Sequence, residues 1–259
     1  MMRLGIAPSD LGRSSWDAVE AELDLARELD AIWTTHTHCA PGNMPATRGF
    51  HRLLARGYIN ERAVLSHCNE FGADDFSLVV DAGAHYASTP DTEIGFGIPA
   101  PPPYAAALAA GVMPALGTDC VTCMSSDMFA AMRQALNTAR AQVNVRSPLE
   151  VVAEQCITTR DVLAWATIAG ARALGLEATI GSLTPGKAAD LVLVDARGTN
   201  MTPVVDPVAS LVLHAHAGNV DTVLIDGVIR KRGGELIRVD WSRIADDLIA
   251  SSSYLVGKA

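Results

Sequence analysis

The sequence predicts an α/β chain in which a parallel sheet covered by helices is followed by a small β-rich module. Three observations predict it. Short apolar runs begin near residues 4, 31, 63, 84 and 112, at intervals of 27, 32, 21 and 28 residues. A strand–helix–strand unit takes about 30 residues, and sequential units of that length make parallel sheets. Beyond Leu176 the helical periodicity stops, and the turn signals Pro185-Gly186, Asp226-Gly227 and Gly233-Gly234 crowd together.

Each element has its own signal. Leu4 to Ala7 is a short strand ended by Pro8. Ser14-Ser15-Trp16-Asp17 reads as a helix-capping sequence, and Val19, Leu23, Ala26 and Leu29 then share one helical face. Ala31 to Thr37 is the second strand, followed by the polar loop Pro41-Gly42-Asn43 and a helix through Phe50, Leu53 and Leu54. Ala63 to Ser66 is the third strand, with a helix over Asp74 to Ala82. Ala84 to Ser88 and Val112 to Thr118 are the fourth and fifth, with a helix from Asp127 to about Arg140. A helix from Thr159 to Leu176 carries Leu163, Ala166, Ala169, Ala173 and Leu174. Leu191 to Val194, Leu211 to Leu213 and Val223 to Ile225 are strand candidates of the second module. The predicted division is 1–178 for the sheet domain and 179–259 for the β module with a terminal helix.

Composition narrows the function classes. With 259 residues, 49% of them hydrophobic and 19% charged, the chain can bury a large core. The net charge of -9 and the lack of a basic run argue against a nucleic-acid partner. The longest apolar stretch, Tyr104 to Leu116, is broken by Gly111 and Pro114, so no membrane span is expected. The start of the chain turns polar too early for a signal peptide, and five cysteines without a disulfide pattern fit a reducing cytoplasm.

The chemistry-bearing residues fall at the carboxyl ends of the predicted parallel strands. Strand two ends in His36-Thr37-His38-Cys39, and strand three in Ser66-His67-Cys68-Asn69. Strand four runs into Thr89-Pro90-Asp91-Thr92-Glu93, and strand five into Gly117-Thr118-Asp119-Cys120. Side chains at that end of an α/β barrel converge on one mouth. Imidazoles and a carboxylate converging there suit a divalent metal, which lowers the pKa of bound water to about 7. Singly, such a His is more often a hydrogen-bonded core residue, and an Asp after Gly-Thr a turn residue. Their common position at successive strand ends favours a site. Cys120 and Cys123 form a single CxxC with no second pair, which is weak support for zinc or redox chemistry. His214 and His216 are expected to share one face of a module strand in a packing or surface role. The Gly/Pro stretch from Gly95 to Pro103 reads equally as a binding lid or a plain connector.

The series His38, His67 and Gly117-Thr118-Asp119 resembles the amidohydrolase superfamily, and within it the branch of heterocycle deaminases and chlorohydrolases that includes triazine hydrolases and adenosylhomocysteine deaminases. The tail is similar as well. Ala169-Gly170-Ala171-Arg172-Ala173-Leu174-Gly175, then Ile180-Gly181-Ser182-Leu183-Thr184-Pro185-Gly186-Lys187-Ala188-Ala189-Asp190-Leu191, looks like that family's return from barrel to β-sandwich. Thr222 to Gly227 resembles the strand that follows. The resemblance implies a (β/α)₈ TIM barrel of which this chain carries strands four to eight, because 81 residues from His38 to Asp119 leave room for three βα units. The family's His-x-His on strand one then precedes this chain, and a missing N-terminal segment is expected.

The resemblance further implies one Zn or Fe ion held by His38 and Asp119. Asp119 would also be general base, and His67 would hydrogen-bond the attacking water or the substrate's leaving substituent. Many family members carry a Glu three residues after the strand-five His; here Pro41 stands there, which puts deamination in question. Glu93 is expected to orient a heterocycle nitrogen in its place. The implied reaction is hydrolysis of a carbon–nitrogen or carbon–halogen bond in a small nitrogen heterocycle. An incomplete, non-catalytic binding module is the alternative. A third reading, a complete doubly wound α/β protein with a non-metal ligand, lacks a glycine-rich phosphate loop after its first strand. Two unpaired edges of a partial barrel predict a homo-oligomer or the missing N-terminal segment as partner, and little turnover by the chain alone.

Overall fold

The computed structural model describes residues 4–11, 14–37, 46–98, 100–122, 124–144 and 157–257. Its first sheet contains five short strands: β1 (Gly5–Ile6), β2 (Ile32–His36), β3 (Ala63–Ser66), β4 (His85–Ser88) and β5 (Ala115–Leu116). They lie in the order β1-β2-β3-β4-β5, every pair parallel, with His36 opposite Ser66 and Ser66 opposite Ala87. All five predicted runs therefore form strands, although the first and the fifth pair over two residues only.

Between the strands lie α1 (Trp16–Glu28), α2 (Ala46–Ala55), α3 (Ala73–Asp81), α4 (Pro90–Gly95) and α5 (Tyr104–Ala109), and β5 leads into α6 (Met128–Asn144). Ser15 caps α1, its Oγ accepting from the Ala18 N–H. Val19, Leu23 and Ala26 are buried as their spacing requires, whereas Leu29 is the exposed C-cap residue. Strand alternation assigns the sheet's two faces. Trp33, Leu65 and Tyr86 enter the main core with Leu23, Phe50, Phe76 and Leu136. Phe50, Phe71, Phe76 and Tyr86 form a run of tilted ring contacts at 4.8, 5.6 and 5.2 Å, a geometry that adds to their area burial. On the other face Thr34 and His36 are exposed, and Val64 and Ala115 meet Ala169 and Ala173.

The predicted helix from Thr159 is present in three segments: α7 (Thr159–Ala164), a π-helical stretch over Trp165–Ala169, and α8 (Gly170–Ala173). The tail that follows is held by its own polar groups. Lys187 Nζ donates to the carbonyls of Ile180, at 3.1 Å, and Glu177. Asp190 Oδ1 accepts from the Asp226 N–H at 2.6 Å, and the Gly227 N–H reaches the Ala189 carbonyl. These contacts give the Gly-Lys-Ala-Ala-Asp stretch of the sequence a structural purpose.

The second sheet has the order β6 (Leu191–Val194), β7 (Val220–Ile225), β8 (Val228–Arg232) and β9 (Glu235–Leu236), all antiparallel. Asp226 and Gly227 both have positive φ, as do Gly233 and Gly234, which is what a two-residue hairpin turn needs. Those two turns create β8 and β9, strands that the apolar pattern of the sequence does not single out.

Leu211 to Leu213, expected as a strand, lies instead in α9 (Pro207–His214). Asp206 Oδ1 accepts from the Val208 and Ala209 N–H groups, and Pro207 occupies the first turn, a start signal stronger than a three-residue apolar run. Val212 is fully buried, and Arg133 Nη1 donates to the carbonyls of Val212 and Ala215, which ties α9 to α6. His214 and His216 consequently share no strand face: the first ends α9, and Nδ1 of the second accepts from the Gly218 N–H. The chain continues into α10 (Trp241–Val256), where Trp241, Leu248, Ile249 and Leu255 are exposed. No helix among the described residues is long and apolar enough to cross a membrane.

Candidate metal centre

Three strand ends build the site. His36 is the last residue of β2 and is exposed, on the sheet face opposite the main core. His67 follows β3 with φ of 76°, and Cys68 follows it with φ of 49°. This left-handed backbone is costly for residues with a Cβ. It interrupts strand alternation and turns the His67 ring into the protein, where it is only 3% exposed. Asp119 lies three residues beyond β5, also left-handed at φ of 51°. One ligand-capable atom from each of His36, His67 and Asp119 lies within 4.8 Å of the others. The two imidazoles stack at 5.5 Å between centroids with 28° between their planes.

Each imidazole is backed by a carboxylate. His36 Nδ1 lies 2.7 Å from Asp10 Oδ1, and His67 Nδ1 lies 3.2 Å from Glu93 Oε1. A ligating His commonly donates its second ring N–H to a carboxylate, which fixes the ring and raises its basicity. Two imidazoles supported in this way, with a carboxylate beside them, fit a divalent transition ion. Cys68 is buried away from this cluster, with Sγ 3.0 Å from Thr37 Oγ1, and burial pushes its thiol well above its ordinary value.

Of the residues expected from the sequence, His67 and Asp119 come together. His38 and Pro41 lie outside the described residues. His36, two positions earlier on the same strand end, stands beside the other two. Glu93, expected to meet substrate, is 1% exposed and sits on α4 with both oxygens engaged by His67, Thr89 and Ser88. Its carboxylate faces the protein and not the cleft, so the orienting role assigned from sequence does not match its placement. Asp10 is a site residue that the sequence reading misses, although Pro8-Ser9-Asp10 follows β1 and the strand-end rule that selects the others applies to it. The Gly95–Pro103 stretch is fastened to the end of β3, since Asn69 Nδ2 donates to the Ala100 carbonyl at 2.7 Å. Cys120 Sγ lies 2.9 Å from Thr122 Oγ1, and Cys123 is outside the described residues.

The parallel sheet gathers two imidazoles and a carboxylate at its carboxyl end, the end at which TIM-barrel proteins build their sites. The amidohydrolase family pattern matches residues 1–230. The chain belongs to that family. A 5-methylthioadenosine/S-adenosylhomocysteine deaminase of Pyrococcus abyssi is 32% identical over 256 residues, covering 95% of this chain and 57% of the relative. The S-triazine hydrolase of Gordonia rubripertincta is 28% identical, covering 89% and 47%. Among solved structures, an adenosine deaminase from Xanthomonas campestris with bound zinc superposes with a TM-score of 0.79 at 27% identity, covering 94% of this chain and 55% of that one. The chain spans about half the length of the relatives it matches.

Proposed function

We propose that this chain carries the carboxyl-terminal part of a metal-dependent hydrolase that cleaves a carbon–nitrogen or carbon–halogen bond of a small nitrogen heterocycle. The observation that carries the reading is the His36–His67–Asp119 cluster, with a carboxylate behind each imidazole. In this reading residues 1–178 are strands four to eight of the barrel with their helices. Residues 179–259 are the returning part of a β-sandwich and its terminal helix. The end of β2, through His36 or His38, and Asp119 hold one Zn or Fe ion. When bound, the ion supplies a water of pKa about 7. Asp119 takes the proton of the attacking water and passes it to the departing amino group, or holds it as halide leaves. His67 hydrogen-bonds the water or the leaving substituent, and the loop fastened by Asn69 bounds the substrate side. β1 and β5 each pair along one edge, and strands from a further segment or a second copy close the sheet there. A cytoplasmic location follows from the cysteine usage.

Zinc titration of the purified chain, with metal content measured after dialysis, tests the centre. Saturable binding that is lost in Asp119→Ala is expected, with weaker binding in His67→Ala, which removes a partner of the bound water and not a ligand. Comparing His36→Ala with His38→Ala then shows which residue ends β2 as the ligand. Equal zinc uptake by wild type and Asp119→Ala would refute the site. The substrate class is tested separately, with 5-methylthioadenosine and a chlorinated triazine offered to the chain supplemented with an N-terminal segment from a relative. Pro41 predicts that halide release exceeds deamination.

A further inference from the structure

We propose that Glu93 is a positioning residue that fixes the ring of His67 with its proton on Nδ1, so that Nε2 is the atom presented to the centre. The inference rests on the reading of His67 as part of that centre and adds a residue that acts through it.

A carboxylate that is 1% exposed survives in a protein interior only when donors surround it. Glu93 has them. The Thr89 N–H donates to Oε1 at 2.9 Å, the Ser88 hydroxyl donates to Oε2 at 2.7 Å, and His67 Nδ1 lies 3.2 Å from Oε1. Tyr104 Oη lies 2.7 Å from Ser88 Oγ. The Ser88 proton is committed to Glu93, so Tyr104 must donate to Ser88. The result is a one-way chain, Tyr104 to Ser88 to Glu93, with the carboxylate as its terminal acceptor. An acceptor-only group facing Nδ1 selects the tautomer with hydrogen there. Thr89 Oγ1 lies 3.1 Å from the same nitrogen and, as a hydroxyl, can accept from it as well as donate, so the acceptor-only carboxylate is what selects the tautomer. Burial, and after it the charge of Glu93, pushes the Tyr104 phenol well above its ordinary value, which keeps it a donor.

The backbone agrees with this assignment. His67 and Cys68 adopt left-handed φ values that a strand's continuation would not require. Such strain persists where surrounding contacts over-determine it. Here the strain turns the ring toward α4, whose first turn is set by Pro90 and whose fourth residue is Glu93. One short helix thereby aims a carboxylate at the imidazole from the neighbouring strand.

The test is ¹⁵N NMR of the histidine rings in the metal-free full chain at a pH where they are neutral, with His67 assigned by loss of its signals in His67→Gln. A dominant Nδ1–H tautomer is expected in wild type; a dominant Nε2–H tautomer overturns the proposal without any variant. In Glu93→Gln the amide oxygen still accepts from Nδ1 and from Thr89, while its NH₂ donates to Ser88, which turns toward Tyr104. That variant is expected to keep the tautomer. Glu93→Leu removes the acceptor-only partner, leaving a hydroxyl that can donate or accept, and is expected to give mixed tautomers and weaker zinc binding. A folded Glu93→Leu chain with wild-type tautomer and wild-type zinc affinity also overturns it. Because the tautomer is read without metal, failure of zinc binding alone would count against the centre and not against Glu93.

Discussion

Gly181 offers a sharp test of how the tail docks on the sheet domain. Its φ is +85°, and a Cβ built there would lie 2.5 Å from Ala171 Cβ and 3.1 Å from Ile168 Cα. Ala171 is buried, and Ile168 belongs to the π-helical stretch, so the obstructing atoms are packed groups and not flexible ends. For Gly181→Ala the left-handed backbone costs about 1–2 kcal/mol. Overpacking costs about 1–3 kcal/mol more. The stiffer unfolded chain offsets about 0.4–1 kcal/mol of this, which leaves a net loss of about 3 kcal/mol. Gly186 is the control, with φ of +96° and no atom within 4 Å of an added Cβ. Gly186→Ala should lose only the backbone part, about 1 kcal/mol. Urea unfolding followed by circular dichroism should therefore separate the two variants by about 1 M in midpoint for a slope near 2 kcal/mol/M. Adding Ala171→Gly to Gly181→Ala should recover part of the difference, less about 1 kcal/mol for glycine in the helix. Equal losses at Gly181 and Gly186 would refute the close approach of the tail to the helix before it.

Two predictions concern titration. Burial lowers the His85 pKa below its ordinary 6.5, opposed by Glu177 and assisted by Arg172. Around pH 6 the unfolded chain then binds more protons than the folded one, so stability falls as pH drops through 6.5 and is fully present above it. The loss of urea midpoint between pH 7.5 and 5.5 should be smaller in His85→Gln than in wild type; an equal loss would contradict the burial of that ring. Burial pushes the Tyr86 and Tyr104 phenols well above their ordinary value, with the Glu93 charge adding to it. In absorbance titration at 295 nm these two of the 4 tyrosines should ionise only as the chain unfolds. Ionisation of all four near pH 10 with the fold intact would rule that out.

The sequence by itself determined the parallel sheet, because the spacing of the apolar runs near residues 4, 31, 63, 84 and 112 is a property of the chain alone. It also determined that His67 and Asp119 would meet, since residues following parallel strands emerge at one end of a sheet whatever else surrounds them. The hairpin turns at Asp226-Gly227 and Gly233-Gly234 were legible for a similar reason: positive φ is a demand that few residues meet. Tertiary structure decided the rest. Leu211 to Leu213 could pair as a strand or coil as a helix, and the Asp206 cap together with burial of Val212 and the Arg133 bonds from α6 settled it as helix. Glu93 follows a strand end just as His67 does, yet one helical turn carries its carboxylate inward to Ser88, Thr89 and His67. Asp10 meets His36, 26 residues away in sequence, only once the chain is folded. Strand order and turn chemistry are encoded within a few residues, whereas the direction of a side chain after a strand depends on backbone angles and partners that distant segments supply.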